Sequence, residues 1–302
     1  MAQLGIHRRN YPLHAVAPYI NWVYFFHAWG FAPKFAALTQ QCTCPSCLTQ
    51  WKSQFSLSDQ LKADEAIRLW KEAQRMLNQL DATYRTHATV HLMECNAEGN
   101  DILLYPSESG ATMRLPLLRQ QSGTPPFLCL SDFIRPVEKG RDTIGLFAAT
   151  VDEAVEQQFE NEDYKRLLVQ TLADRLAEAT AEKLHEEVRK ELWAYAPNEQ
   201  LTTQQMNNEE FQGIRPAVGY PSLPDISINR LLYEWTDMKS IGIHLTENAM
   251  MQPHASVSGL MMAHPKSRYF AVGKIGEDQL HDYATRRRCS IDDCRKFLLS
   301  NI

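Results

Sequence analysis

Apolar residues recur at helical spacing in several stretches of the chain. Over 16–32, Trp22, Phe25, Phe26 and Trp29 fall at i, i+3, i+4 and i+7, one face of an amphipathic helix. Over 62–80, Ala66, Leu69, Trp70, Ala73, Leu77 and Leu80 share another face. A longer pattern runs from about Asp152 to Trp193. Its stripe is Leu168, Leu172 and Leu176, continued by Leu184, Val188 and Leu192, and Pro197 ends it. A short helix is expected near 227–236, and two more close the chain. The last starts at Ser290, with Asp293 three residues on, a capping-box-like signal.

Strand-like runs lie between these helices. Residues 88–95 and 101–105 flank Glu98-Gly99-Asn100, a hairpin pattern. Residues 143–150 read as a buried strand. Further strands are expected at 241–246, 256–263 and 268–275, the last two as a hairpin. Strands and helices do not alternate regularly, which argues against a doubly wound parallel sheet. The expected fold is α+β, with a mostly antiparallel sheet flanked by helices. No repeat or low-complexity linker is visible, and 302 residues is long for one domain and short for three.

Charge and composition narrow the choice of partner. The formal net charge is −5 and no long basic run is present, which argues against nucleic acid. The short run Arg286-Arg287-Arg288 suits a helix end, where it complements the dipole. Tyr11 to Pro33 carries no Asp, Glu, Lys or Arg, but two prolines precede Tyr19, and His14, Asn21 and His27 interrupt it. It reads as a helix packed on a core rather than a membrane span. No signal peptide is visible, and seven cysteines is an odd count, so a reducing, cytoplasmic location is expected.

The segment Gly213-Ile214-Arg215-Pro216-Ala217-Val218-Gly219-Tyr220-Pro221 carries the most chemistry. Two prolines stiffen it, and Gly219 permits a conformation closed to other residues. Its one guanidinium could hold a small anion bidentately beside exposed backbone amides. The plain alternative is a surface turn with an exposed arginine. Asp174 and Glu178 lie four apart on one helix face, and Glu182 and Glu186 extend that row, which on its own reads as a solvated acidic face.

Taken in order, further blocks join that loop. They are Pro18-Tyr19-Ile20-Asn21-Trp22, Leu118-Arg119-Gln120-Gln121, Ser131-Asp132-Phe133, Ile144-Gly145-Leu146-Phe147-Ala148, Leu172 to Ala179, Leu245-Thr246-Glu247-Asn248, His254 to Gly259 and His264 to Val272. Together they closely resemble the C-terminal activation domain of cobalamin-dependent methionine synthase, most strongly from about Tyr164 to Tyr283. The resemblance implies a single C-shaped domain over 1–302 that binds S-adenosylmethionine. It implies Arg215 on the ligand's carboxylate, backbone groups from Ala217 and Gly219, and Tyr220 near the reacting methyl group. Glu178 would lie near the ligand, and Asp174 would receive the histidine that cobalt releases during reactivation. A carboxylate suits both roles, since it stabilises a cation and accepts from imidazole. Glu209 matches a second family acid, with a surface charge as its alternative. Tyr269 and Phe270 match an aromatic pair, with strand core as theirs.

Two features depart from the family pattern. Asn21 stands where the family usually has Asp, so the bond to the ligand's amino group would lose its charge assistance. Cys42-Thr43-Cys44-Pro45-Ser46-Cys47 lies in an apparent insertion at about 40–58. Three thiols at this spacing could ligate zinc or do redox work, but a structural zinc site wants four ligands and no fourth is obvious, so no metal is assigned and an inert loop is the plain alternative.

The resemblance implies a reactivation module supporting reductive methylation of cob(II)alamin to methylcobalamin. The cobalamin would sit on a partner domain of methionine synthase or a related corrinoid protein, with a flavodoxin-like electron donor. The chain has no DxHxxG-type cobalamin motif and is too short for the homocysteine and folate modules, so action in trans as an accessory subunit is expected. The alternatives are a non-catalytic S-adenosylmethionine-binding regulator and a Cys-dependent metal or redox protein.

Overall fold

A computed structural model describes residues 2–106, 110–159 and 161–302. Its sheet has six strands: β1 (Gly5–Pro12), β2 (Arg85–Glu98), β3 (Asp101–Tyr105), β4 (Met113–Pro116), β5 (Asp142–Val151) and β8 (Ser256–Met261). β6 (His244–Leu245) and β7 (Met251–Gln252) form a separate small pair. Along the large sheet the order is β4-β3-β2-β5-β8, all antiparallel. β1 pairs with β2 over Gly5–Pro12, so β1 and β3 line β2 at different heights. The expected α+β class with a mostly antiparallel sheet is what the chain adopts.

Helices cover the sheet. They are α1 (Leu13–Val16), α2 (Trp22–Ala28), α3 (Pro45–Ser53), α4 (Leu57–Asp81), α5 (Glu153–Glu156), α6 (Asp163–Glu187), α7 (Thr203–Asn207), α8 (Asn229–Trp235), α9 (Glu277–Arg287) and α10 (Ile291–Phe297). β5 is buried on both faces because its side chains alternate. Phe147, Ala149 and Val151 join the core with α2, α4 and α6, while Ile144, Leu146 and Ala148 join a second core that includes Leu232 of α8. A third cluster packs Leu118 and Val272 against Leu280, Tyr283, Cys294 and Leu298 of the closing helices.

Several expected elements hold, and others break at residues with clear local reasons. The helix expected over 62–80 runs Leu57–Asp81, because the Ser56 hydroxyl caps it by accepting from the Asp59 amide. Ser290 caps α10 in the same way. The helix expected over 16–32 is instead α1, a 3-10 turn at Ala17–Tyr19 and α2. Pro18 ends the first piece, and Asn21 restarts the second by accepting from the Val23 amide at 3.1 Å. Phe25 and Phe26 of that face are buried as expected.

The pattern from Asp152 to Trp193 is also divided. Phe159 adopts φ +60°, in the left-handed region, which separates α5 from α6, and a π turn at Val188–Leu192 follows α6. Glu160, within that expected helix, lies outside the described residues. The strand and hairpin expected at 268–275 do not form. That stretch hydrogen-bonds with loops instead: Phe270 N–H donates to Ser222 Oγ, Val272 N–H to the Pro221 carbonyl, and Gln120 Nε2 to the Ala271 carbonyl.

Candidate functional site

The stiff loop is fastened to the edge of β8 that β5 leaves open. Ile214 exchanges backbone hydrogen bonds with Met262 at 2.9 and 3.0 Å, Leu260 donates to the Pro216 carbonyl at 3.0 Å, and Val218 donates to Ser258 at 2.9 Å. Ala217 pairs with Gly259 across this seam. A Cβ on Gly259 would lie 2.2 Å from the Pro216 oxygen, so only glycine lets the loop approach this closely. Gly219, at φ +86°, then turns the chain, and its N–H donates to Leu223 at 2.8 Å. Of the two expected backbone contributors, Ala217 is held by the sheet and Gly219 by the turn to Leu223.

This anchoring aims two side chains at α6. The Tyr220 hydroxyl donates to Glu178 Oε1 at 2.8 Å. Arg215 Nη2 donates to Glu182 Oε2 at 3.2 Å, and its Nη1 lies 3.8 Å from Glu178 Oε2. The Arg215 side chain is 11% exposed and Glu182 16%. Burial works against the Arg215 charge, but Glu182, with Tyr269 and Glu178, outweighs it and holds the guanidinium firmly protonated. Tyr269 accepts from the Arg215 backbone N–H at 2.9 Å. Burial and the neighbouring Glu178 push the Tyr220 phenol up to about 12.

Behind this cluster lies a second charged layer. Arg189, fully buried, forks onto Glu199 with contacts of 2.7–3.0 Å and lies over the Phe211 ring. His185 is fully buried, with Tyr195 Oη 3.3 Å from its Nε2, and burial holds it well below the usual histidine range. The acidic row on α6 is therefore not the solvated face that its spacing suggested. Glu182 serves Arg215, and Glu186 accepts from the Tyr19 hydroxyl. Glu182 had no sequence signal beyond that row, because its arginine lies 33 positions away.

An open cavity of about 300 Å³ adjoins the cluster, lined in part by Asp174, Glu178, Gly219, Met250 and His254. Asp174 Oδ1 lies 3.5 Å from His254 Nδ1, and burial raises the Asp174 carboxyl. His254 was not singled out as a site residue from sequence. Phe270 packs near Phe133, with its backbone bound to Ser222. Glu209 sits at φ +57° on the surface; partial desolvation of its carboxyl and nearby Glu182 raise its pKa, yet among the described residues it forms no ion pair within 4.0 Å. Asn21 caps α2 and makes no hydrogen bond to the cluster among the described residues.

A sequence model of the vitamin B12 dependent methionine synthase activation domain matches residues 12–288, most of the chain. The chain belongs to this family. The crystal structure of the MetH reactivation domain bound to AdoHcy is 37% identical, with a TM-score of 0.86, over 99% of this chain and 91% of that one. The helix-flanked antiparallel sheet is thus an activation-domain fold. Among the described residues, no helix of this activation domain is long and apolar enough to cross a membrane.

Proposed function

We propose that this activation domain binds S-adenosylmethionine at the Arg215, Glu178 and Tyr220 cluster and presents its methyl group to a cobalamin carried by a partner domain, in trans. The observation that carries the reading is Arg215: a nearly buried guanidinium, fixed by the β8 seam, whose Nε has no hydrogen-bond partner among the described residues. A buried donor without a partner is costly, so a ligand oxygen that fills it is favoured. AdoHcy, bound by the similar domain, is S-adenosylmethionine without its transferable methyl group.

The residues fit that ligand. Arg215 would take the carboxylate on its free edge. Glu178 offers negative charge to the cationic sulfonium or amine, and the Tyr220 hydroxyl, protonated at physiological pH, holds Glu178 in place. Tyr269 fixes the Arg215 backbone, and Ala217, Gly219 and Phe270 would line the bound ligand. Asn21 and Glu209 would complete the polar rim. Asp174, facing the open cavity, would accept an imidazole from the partner. S-adenosylmethionine supplies the methyl group, and cobalamin supplies the metal that is reductively methylated. An electron would come from a flavodoxin-like donor. The chain's own contribution is positioning and electrostatics.

The uncharged Asn21 favours one other reading, a regulator that binds the ligand without reaction. Incubating the chain with a cobalamin-carrying synthase fragment, a one-electron reductant and methyl-labelled S-adenosylmethionine separates the two. Label on the cobalamin supports reactivation. Saturable binding with no transfer supports the regulator.

A further inference from the structure

The sulfurs of Cys42, Cys44 and Cys47 all lie within 4.8 Å of one another. Cys42 sits in the loop after the 3-10 turn Pro33–Gln40, Cys44 precedes α3 as its cap residue, and Cys47 lies in its first turn. The Cys44 N–H donates to Cys42 Sγ at 3.5 Å, which folds the loop back over the helix start.

Packing does not account for this convergence. A free cysteine ordinarily behaves as a small buried hydrophobe, as Cys95 and Cys129 do here. Cys42 is exposed, and Cys44 and Cys47 are only half-buried. The apolar contacts of this segment come from Leu48 and Trp51 instead. A disulfide would use two of these sulfurs and strand the third, and all three are free thiols. A tetrahedral zinc ion with bonds of about 2.3 Å holds its sulfurs roughly 3.8 Å apart, within the observed ceiling.

We propose that Cys42, Cys44 and Cys47 form a surface zinc site with three thiolate ligands and a fourth position open to water or an exogenous thiol. Soft sulfur donors without carboxylates select zinc over magnesium or calcium. Binding exchanges three thiol protons for one Zn²⁺ and leaves one net negative charge; nothing is oxidised or reduced. The site is independent of the Arg215 cluster.

The test uses the full chain without a histidine tag, reduced and equilibrated with zinc chloride, then freed of excess metal. The proposal expects about one zinc per chain and a sulfur-to-metal charge-transfer absorption after cobalt(II) replacement. It also expects loss of both in the triple Cys42→Ser, Cys44→Ser, Cys47→Ser variant. The variant's circular dichroism and thermal midpoint report whether it folds. Zinc well below stoichiometric in the parent chain would overturn the site, as would zinc retained by a folded triple variant. So would a disulfide among these three cysteines in the native protein, since it would show redox use instead.

Discussion

Arg215 and Glu182 meet across 33 residues of chain, with Nη2 donating to Oε2 at 3.2 Å from an almost enclosed position. The pair joins the Gly213–Pro221 loop to α6, so the donor proposed for the ligand's carboxylate comes already paired with a carboxylate. In the proposed site, ligand binding and fold stability would therefore be coupled at one side chain.

Removing Glu182 alone leaves a buried guanidinium with a weaker counter-ion. Breaking such a pair costs about 3–5 kcal/mol, so Glu182→Ala should lower unfolding stability by roughly that much in a urea titration. Glu182→Gln keeps an acceptor and should cost less. In that variant a carboxylate ligand should raise the thermal midpoint more than in the parent chain, because it restores the missing charge. An unchanged stability in Glu182→Ala would show the contact to be incidental.

The β8 seam predicts a sharp contrast between two glycines. Gly259→Ala places a methyl 2.2 Å from the Pro216 oxygen, against rigid backbone. The loop must shift, at about 1–3 kcal/mol or more, and S-adenosylmethionine binding should be lost. At Gly219 the nearest atom to a new Cβ is Ile226 Cγ1 at 3.6 Å, so only the positive φ opposes substitution. Gly219→Ala should cost about 1–2 kcal/mol and weaken binding only modestly. Calorimetry on both variants checks the order.

Tyr220→Phe removes one hydrogen bond from a half-exposed residue. Stability should change little, and S-adenosylmethionine binding should fall only a few-fold. Methyl transfer to partner-bound cobalamin should drop more than binding does, because Glu178 loses its orienting donor. The phenol itself, monitored by ultraviolet absorbance, should titrate near pH 12 rather than 10. The folded pKa is raised, so this contribution to stability is full below pH 10 and fades as pH rises through the folded value.

His185 predicts the acid side. Its folded pKa is depressed well below 6.5, so the unfolded chain binds a proton that the folded one does not. Its contribution is full above pH 6.5 and lost as pH falls from there toward the depressed folded value, with a slope of about 1.4 kcal/mol per pH unit. Urea titrations between neutral and mildly acid pH should show this slope, reduced in His185→Gln. An identical slope in the variant would assign it to another group.

Much of this architecture was legible because local signals and tertiary packing agreed. Ser56 and Ser290 carry real caps, Glu98-Gly99-Asn100 turns a real hairpin, and the α4 stripe faces the core. The strand expected at 268–275 failed because Val272 and Phe270 find their partners in Pro221 and Ser222, contacts that no period encodes. Arg215, Glu178 and Tyr220 were recognisable from the order of their blocks. Glu182 and His254 were not, because each is defined by a partner distant in sequence. Asn21, expected at the ligand, also has a local role that its sequence position did not announce: its side chain caps α2.

The most direct measurement is S-adenosylmethionine binding by calorimetry to the parent chain, Arg215→Ala and Arg215→Lys, with circular dichroism to show that each is folded. Saturable binding to the parent, abolished in Arg215→Ala and only partly restored by Arg215→Lys, is the predicted result, since lysine keeps the charge but not the fork. Equal affinity in the parent chain and a folded Arg215→Ala would place the ligand elsewhere and contradict the account.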